Sequence, residues 1–268
     1  MQIRKKSFVW HKLNGLFRYG LVHSSTRIFP LYIVNEYPKS GGSWVGQMLS
    51  EAIDVPFPRN RFPQLSPCIM HGHFMHKWNM HNVLNVWRDG RDVLISQYYH
   101  SLIRNDESNS RLVALCRADL KFDDYQDIEA NLVPFMEYVF EAKKHPKMSW
   151  SDFVERWADC PECVHVHYED LRQQPERELC RVVNELADLQ LSPSCASDIV
   201  QNYSFEKLSG RQTGVENTRS FLRKGLVGDW KNYFSLEARE RFHQYAGHAL
   251  IKLGYEADDT WITKTGSQ

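Results

Sequence analysis

The 268-residue sequence lacks the features that mark several classes of protein. It has no net charge, with 33 basic and 33 acidic side chains, whereas a protein that binds a nucleic-acid polymer usually has a strongly basic domain. It has no apolar run near the ~18 residues of a membrane-spanning helix. Its 6 cysteines are too sparse for a disulfide framework. We therefore predict one folded domain in the reducing cytoplasm that does not bind nucleic acid.

Residues 1–35 contain basic residues but no acidic ones. Because the whole chain is neutral, the rest of it carries a net charge of −6. Apolar residues in this segment recur at near-helical spacing: Val9, Leu13, Leu16, Phe17 and Gly20. The pattern is typical of a helix on an anionic membrane surface, and equally of an amphipathic helix packed on its own domain. An acid-free N-terminus also resembles a transit peptide. We separate residues 1–30, a basic arm or helix, from a domain at residues 31–268.

Strand and helix patterns alternate after the arm. Residues 31–34 and 83–87 are typical of short buried strands, and each leads into a helical pattern, the second at residues 92–102. Residues 163–168 alternate like a strand. Strands separated by helices predict an α/β fold with a central parallel sheet flanked by helices. Ligands of such sheets lie at the carboxyl ends of the strands, so the loops after the first two strands are the candidate sites.

Other helix ends carry recognisable signals. Ser149 begins a helix by a capping-box pattern with Asp152, and Ser192 precedes a proline at the first turn of another. We expect the last helix to run from Ser235 towards Gly254, a good stop residue.

The loop after the first strand, residues 37–44, has the composition of an anion site. Its glycines let the backbone approach an anion, its serines add hydroxyl donors, and the following helix presents its positive end. It is not a Walker A loop, because Lys39 precedes both Gly41 and Gly42. We predict that it holds a phosphate or sulfate. The alternative is that the glycine pair only makes a tight turn.

Two later segments supply further cations. Arg88 ends the second strand and Ser96 follows two helical turns later, so both could reach a phosphate at the sheet edge. The alternative is a surface arginine paired with Asp89 or Asp92. Residues 221–234 hold two adjacent cations and two glycines, which by themselves are equally typical of a solvated basic turn.

These three segments resemble motifs of the sulfotransferases that use 3′-phosphoadenosine 5′-phosphosulfate (PAPS). Residues 38–45 resemble the PKSGTTW loop that binds the 5′-phosphosulfate, with Gly42 and Ser43 where the family usually has Thr-Thr. Residues 88–96 are similar to the 3′-phosphate motif, and residues 221–234 to the RKGxxGDWKNxF signature. The resemblance implies a P-loop-kinase-like sulfotransferase domain.

The resemblance also implies which residues act. Lys39 would stabilise charge on the sulfate, and His73 would be the general base, with His71 where the family has lysine. Trp44 would stack on adenine. The residues implied to bind PAPS are Lys39, Ser40, Gly41, Gly42, Ser43, Trp44, Arg88, Ser96, Tyr168, Ser204, Phe205, Arg223, Lys224 and Gly225. No metal is implied. A short motif from Lys231 to Glu240 resembles the family's dimerisation segment and implies a homodimer.

Two other functions compete with the sulfotransferase prediction. A nucleotide or metabolite kinase on a related architecture would need Mg²⁺ and ATP, and the Walker A pattern is missing. A non-catalytic, metal-binding protein would use four histidines whose spacing fits no zinc pattern, namely His71, His73, His76 and His81. We expect the acceptor group to be a hydroxyl or amine of a carbohydrate, lipid or small molecule. No residue pattern favours one of these classes over the others.

Overall fold

The computed structural model describes residues 8–24, 30–59, 65–106 and 109–264. The described residues form two compact units. The first contains those of Met1–Glu36, Gly41–Trp87 and Pro161–Tyr203, and the second those of Tyr37–Ser40, Arg88–Cys160 and Ser204–Gln268. The domain boundary at residue 30 stays a prediction.

The first unit is built on a sheet of four strands. The strands are β1 (Leu31–Glu36), β2 (Cys68–Gly72), β3 (Val83–Trp87) and β4 (Val164–His167), and they lie in the order β2-β1-β3-β4. All three neighbouring pairs are parallel, so the carboxyl ends of the strands share one edge. The predicted α/β class with a parallel sheet is confirmed.

Eleven α-helices occur among the described residues. They are α1 (Phe8–Ser24), α2 (Gly42–Ala52), α3 (Gly90–Tyr98), α4 (Ser110–Asp119), α5 (Ile128–Glu137), α6 (Trp150–Trp157), α7 (Tyr168–Gln173), α8 (Pro175–Ala187), α9 (Pro193–Asn202), α10 (Phe205–Ser209) and α11 (Leu236–Lys252). Short π-helical turns follow α3 and α5, at Tyr99–Ile103 and Tyr138–Ala142, and 3₁₀ turns span Asp229–Asn232 and Asp259–Ile262.

The core of the first unit lies between the sheet and helices α2, α8 and α9. Aliphatic side chains dominate it, among them Val34, Ile69 and Leu84 from the strands and Leu49 and Val183 from the helices. All five are fully buried, and such burial is the main stabilising contribution to folding. The packing fixes the end of β1 and the start of α2, which is where the predicted anion loop lies.

The second unit is helical and has an aromatic core. Tyr98 on α3 packs edge-on against Phe135 on α5, with 5.0 Å between ring centroids. Arg91 lies over the rings of Trp230 and Trp261, at 4.0 and 4.7 Å, and it also pairs with Asp89. These contacts fix α3 against the 3₁₀ turns at Asp229–Asn232 and Asp259–Ile262.

Several predicted helix ends are confirmed. The side chains of Ser149, Ser192 and Ser235 each accept a hydrogen bond from the first turn of the helix that follows. Ser149 and Asp152 form the predicted capping box. Gly254 follows α11 with a φ of +76°.

Two predicted boundaries were wrong by a few residues. The predicted helix at residues 92–102 begins at Gly90, because Asp89 caps it by accepting a hydrogen bond from the Arg91 N–H. The predicted strand at residues 163–168 ends at His167, because Tyr168 already opens α7. Residue alternation extends smoothly across this junction, so the pattern gave no sign of where the backbone changes direction.

Helix α1 fits parts of both interpretations of the basic arm. Leu21, Val22 and His23 are buried, and the Arg18 side chain donates to the carbonyl of His71 at 2.6 Å. Leu13, Leu16 and Phe17 are exposed, with Leu16 at 70%. None of the described helices is long and apolar enough to cross a membrane. Residues 1–7, which contain three of the arm's cations, lie outside the described residues.

Candidate active site

The loop after β1 turns sharply through two left-handed residues, Lys39 (φ +80°) and Gly41 (φ +105°). Ser40 is buried, and its N–H donates to the Tyr37 carbonyl at 3.1 Å. Gly41 stands at the N-terminus of α2, whose first turn contains no acidic residue and no side-chain cap. Such a terminus has backbone N–H groups and a positive dipole end that attract an anion, and here the Glu36 carboxylate accepts one of these groups, the Gly42 N–H.

Both glycines of this loop are needed for close packing in the first unit. A Cβ at Gly41 would lie 2.8 Å from Cδ2 of Tyr168, and a Cβ at Gly42 would lie 2.7 Å from Cδ of Glu36. Ser43 is buried in the first turn of α2. Each glycine therefore leaves room for a neighbouring side chain, and the anion site stays a prediction beside the alternative of a tight turn.

Glu36, at the end of β1, brings two histidines together. Its carboxylate is buried and hydrogen-bonded to Nε2 of His71 at 2.8 Å and to the Gly42 N–H at 2.5 Å. Its backbone carbonyl contacts Nδ1 of His73 at 2.8 Å. The two imidazole rings meet edge to face, with 5.3 Å between centroids.

The same three side chains influence each other's ionisation. Burial by itself would raise the pKa of Glu36, but the hydrogen bond and electrostatic interaction with His71, together with His73 and the Gly42 N–H, lower it below the ordinary value. The pKa of His73 is lowered, chiefly because its neighbours remove water from the ring, and the charge of Glu36 opposes this effect. Glu36 is thus held as an anion and His73 as a neutral imidazole at pH 7.

This cluster also has the donor set of a metal site. One ligand atom each from Glu36, His71 and His73 can lie within 4.8 Å of one another. Two imidazoles and a carboxylate are ligands that zinc accepts, with a fourth position left open. Of the four histidines in the metal-binding alternative, His76 and His81 are outside this cluster.

Trp44, predicted to stack on adenine, packs against aromatic and cationic neighbours in the first unit. Its ring lies edge-on to Tyr168, with 5.7 Å between centroids, and Arg172 lies 6.0 Å above it. Its indole N–H donates to the Tyr203 carbonyl at 2.8 Å. The structure thus brings together Trp44 and Tyr168, two residues implied to line the nucleotide pocket.

A polar pocket lies within the second unit. Its lining residues are Lys39, Ser96, Tyr99, His100, Arg104, Ser220, Phe221 and Arg223. The empty space of about 220 Å³ includes open solvent, so the enclosed part of the pocket is smaller than this. Three cations and two serines face a space suited to one anionic group. Three of the residues implied to bind PAPS line this pocket, namely Lys39, Ser96 and Arg223.

Arg88 contacts the anion loop. Its guanidinium donates to the Lys39 carbonyl at 3.1 Å, and it lies 4.0 Å from the Asp92 carboxylate. Asp92 is buried and accepts the N–H groups of Gly228 and Trp230, at 2.7 and 2.9 Å. Arg88 is not among the residues that line the pocket of the second unit.

Arg223 and Lys224 share one carboxylate. Asp229, which is buried, accepts from the Arg223 guanidinium and from Nζ of Lys224 at 2.7 Å. Their hydrogen bonds outweigh burial, so the pKa values of both cations are raised and that of Asp229 is lowered. Arg223 also lies 4.4 Å over the Tyr99 ring. Both side chains therefore remain charged at pH 7.

The remaining residues implied to bind PAPS shape the backbone around Arg223 and Lys224. Gly225 has a φ of +69°, and a Cβ there would lie 2.6 Å from the Phe205 ring. Phe205 is buried, and the Ser204 side chain caps α10 by accepting from the Lys207 N–H at 3.3 Å.

The sequence analysis missed Glu36, His100 and Arg104. Glu36 is the first acidic residue of the chain and follows a buried strand, which was a usable signal. His100 lies in the segment that also holds Arg88 and Ser96, yet nothing in its spacing showed that it would face Lys39. Arg104 lies beyond that segment and carried no sequence signal.

Comparison with known proteins decides the family. The protein-family model described as "Sulfotransferase domain" matches residues 60–254, most of the chain. The chain belongs to the sulfotransferase family. Rat Sulfotransferase 1E1 is 25% identical to this sulfotransferase over 259 residues, covering 80% of this chain and 81% of the relative. Human Sulfotransferase 1C2 is 33% identical over 109 residues, 36% of each chain.

Solved structures show the same fold. Mouse sulfotransferase SULT7A1 complexed with PAP has a TM-score of 0.61 at 16% identity, covering 90% of this sulfotransferase and 96% of that chain. Retinol dehydratase in a complex with retinol and PAP has a TM-score of 0.52 at 16% identity, covering 86% and 84%. The predicted fold and the predicted sulfotransferase family are confirmed. The roles of individual residues stay predictions.

Proposed function

We propose that this sulfotransferase transfers the sulfuryl group of PAPS to a hydroxyl or amine and releases adenosine 3′,5′-bisphosphate, using the residues that the motifs assign. The observation that carries the proposal is the pocket where Lys39, Ser96 and Arg223 face one small space. Charged donors suit a phosphate or sulfate group, and arginine binds such groups through two parallel hydrogen bonds. PAP, the ligand named for two structural neighbours, supports a nucleotide of this kind as donor.

Lys39 is proposed to neutralise charge on the transferring group. Sulfuryl transfer needs positioning and charge stabilisation more than covalent catalysis by the protein. The bond between sulfur and the bridging oxygen breaks as the acceptor oxygen or nitrogen attacks, and the leaving phosphate gains negative charge. Lys39 would stabilise that charge, and the proposed reaction uses no metal ion.

His73 is proposed to accept the acceptor's proton. Its Nδ1 contacts the Glu36 carbonyl, which favours the tautomer with the proton on Nδ1 and leaves Nε2 to act as the base. Its lowered pKa keeps the ring neutral, and so able to accept a proton, at pH 7.

The acceptor is proposed to be a small molecule, lipid or carbohydrate with a free hydroxyl or amine. Retinol and androsterone, named in the retinol dehydratase structures, are small lipid-like molecules and favour the first two classes. A screen with radiolabelled PAPS against carbohydrates, lipids and phenols would identify the class.

The test of the mechanism uses matched variants. We expect Lys39→Ala and His73→Ala each to lower kcat by about 10²-fold or more, because charge stabilisation and general-base catalysis are each of this size. Lys121→Ala and His248→Ala, at exposed positions, are the controls. Full activity in either test variant would remove its proposed role, and transfer from ATP instead of PAPS would overturn the donor. We expect transfer to persist in EDTA.

We also propose a homodimer formed through the segment from Lys231 to Glu240. Lys231, Leu236 and Glu240 are exposed, and the Leu236 side chain is an apolar group with no structural need to face water. Light scattering at micromolar concentration should give twice the chain mass, and Leu236→Asp should give the chain mass. A monomeric wild-type protein would contradict the proposal.

A further inference from the structure

Glu36 has no role in any of the three motifs, although it touches both places where the chain departs from the family pattern. Gly42 stands where the family usually has threonine, and His71 where it has lysine. The Glu36 carboxylate accepts from the Gly42 N–H at 2.5 Å and is bonded to Nε2 of His71 at 2.8 Å. One buried side chain therefore links two substitutions that are 29 residues apart in sequence.

The first link is steric. A Cβ at position 42 would lie 2.7 Å from Cδ and 3.0 Å from Oε2 of Glu36. Real Cβ atoms essentially never approach a non-bonded atom this closely, so a threonine at position 42 would force the carboxylate out of its place. A side chain at position 42 is therefore incompatible with the carboxylate in this place.

The second link is electrostatic. The carboxylate lies at the N-terminus of α2, where the helix dipole stabilises negative charge, and its side chain is only 5% exposed. Because the carboxylate is shielded from water, it needs a hydrogen-bond donor, and Nε2 of His71 supplies one.

We propose that Glu36 is a positioning residue of this sulfotransferase, whose carboxylate holds His71 and the start of α2 in place and thereby fixes the His73 ring that meets His71 edge to face. The inference rests on the proposed function, since it assigns the base to His73. A nucleophile or base that is oriented by a third group follows the same logic in other enzymes. Glu36 touches neither donor nor acceptor in this role.

The kinetic test is Glu36→Gln, which keeps the shape of the side chain and an acceptor for the Gly42 N–H but removes the charge. We expect kcat to fall about 10–100-fold, part of the roughly 10²–10⁴-fold that a general base contributes. KM for PAPS should stay the same or fall, because an anion is removed near the donor's own charges. Glu51→Gln, at an exposed position on α2, is the matched control.

The kinetic results separate a failure of the inference from a failure of the proposed function. Unchanged kcat in Glu36→Gln would overturn the inference, as would a loss of kcat accompanied by an equal rise in KM and a lower melting temperature, which is the signature of a structural role. A wild-type chain that transfers nothing from PAPS would overturn the proposed function itself. The two failures are therefore distinguishable by the wild-type rate.

A second test needs no activity. Gly42→Ala, Glu36→Ala and the double variant form a thermodynamic cycle measured by chemical unfolding. We expect Gly42→Ala to be destabilising in the wild-type background and nearly neutral once Glu36 is alanine, because the clash is then relieved. Additive effects of the two substitutions would overturn the steric link.

Discussion

At the scale of single residues, burial in the cationic pocket changes the ionisation of one histidine. His100 lines the cationic pocket beside Lys39 and Arg104. Desolvation, and then the charge of Lys39, lower its pKa to about 3, with Arg104 acting in the same direction and Asp106 against it. The ring is therefore neutral throughout the physiological range, and the pocket keeps its positive charge on lysine and arginine.

This shift predicts a pH dependence of stability. His100 is neutral in both the folded and unfolded states above about pH 6.5, so it contributes nothing there. Between about pH 6.5 and 3 the unfolded chain binds a proton that the folded chain does not, so stability falls with falling pH by up to about 1.4 kcal/mol per pH unit. Urea unfolding at pH 7, 6 and 5 should show a steeper fall for the wild type than for His100→Asn. Parallel curves would contradict the assignment.

At the scale of elements, carboxylates organise the cationic loop of the second unit. Asp229 joins Arg223 and Lys224, and Asp92 on α3 accepts two N–H groups from the segment that follows them. Arg211 donates to the carbonyls of Val215, Leu222 and Arg223. The segment from Arg211 to Trp230 is thus closed on itself and attached to α3.

The attachment to α3 can be tested at Asp92. Asp92→Ala would leave two N–H groups without their acceptor, and an unsatisfied buried group costs about 1–3 kcal/mol. We expect the free energy of unfolding to fall by about 2–4 kcal/mol and KM for PAPS to rise, because Arg223 follows the displaced segment. Asp92→Asn keeps one acceptor oxygen and should lose less. Equal stability of wild type and Asp92→Ala would show that the attachment contributes nothing.

At the scale of the whole molecule, contiguous features were predictable and sequence-distant contacts were not. The strand, loop and helix around Lys39 follow one another in the chain, so local patterns sufficed, as they did for the serine caps. The contact of Glu36 with His71 depends on β1 lying beside β2, which no local pattern specifies. His100 faces Lys39 because α3 continues as a π-helical turn, a change of pitch that apolar spacing does not show.

The exposed face of α1 is also a feature of the whole molecule. Leu13, Leu16 and Phe17 face outward beside a cationic segment, and we propose that they contact an anionic membrane surface. The protein should co-sediment with vesicles containing about one third phosphatidylserine, and Leu16→Asp with Phe17→Asp should prevent this. Arg18 and the buried side of the helix stay intact in that variant. Absence of wild-type binding at low ionic strength would favour the alternative of an ordinary packed helix.

The closed loop around Arg223 also matters for proteolysis. Two adjacent basic residues would normally be a preferred site for trypsin-like proteases, which need to bind the substrate chain in an extended form. Here the carbonyl of Arg223 accepts from the Asn217 N–H at 2.9 Å, and that of Lys224 accepts from the Gly214 N–H at 2.9 Å. Both side chains are also occupied by Asp229. The dibasic sequence that identifies the loop is therefore hidden from such proteases for as long as the loop stays folded.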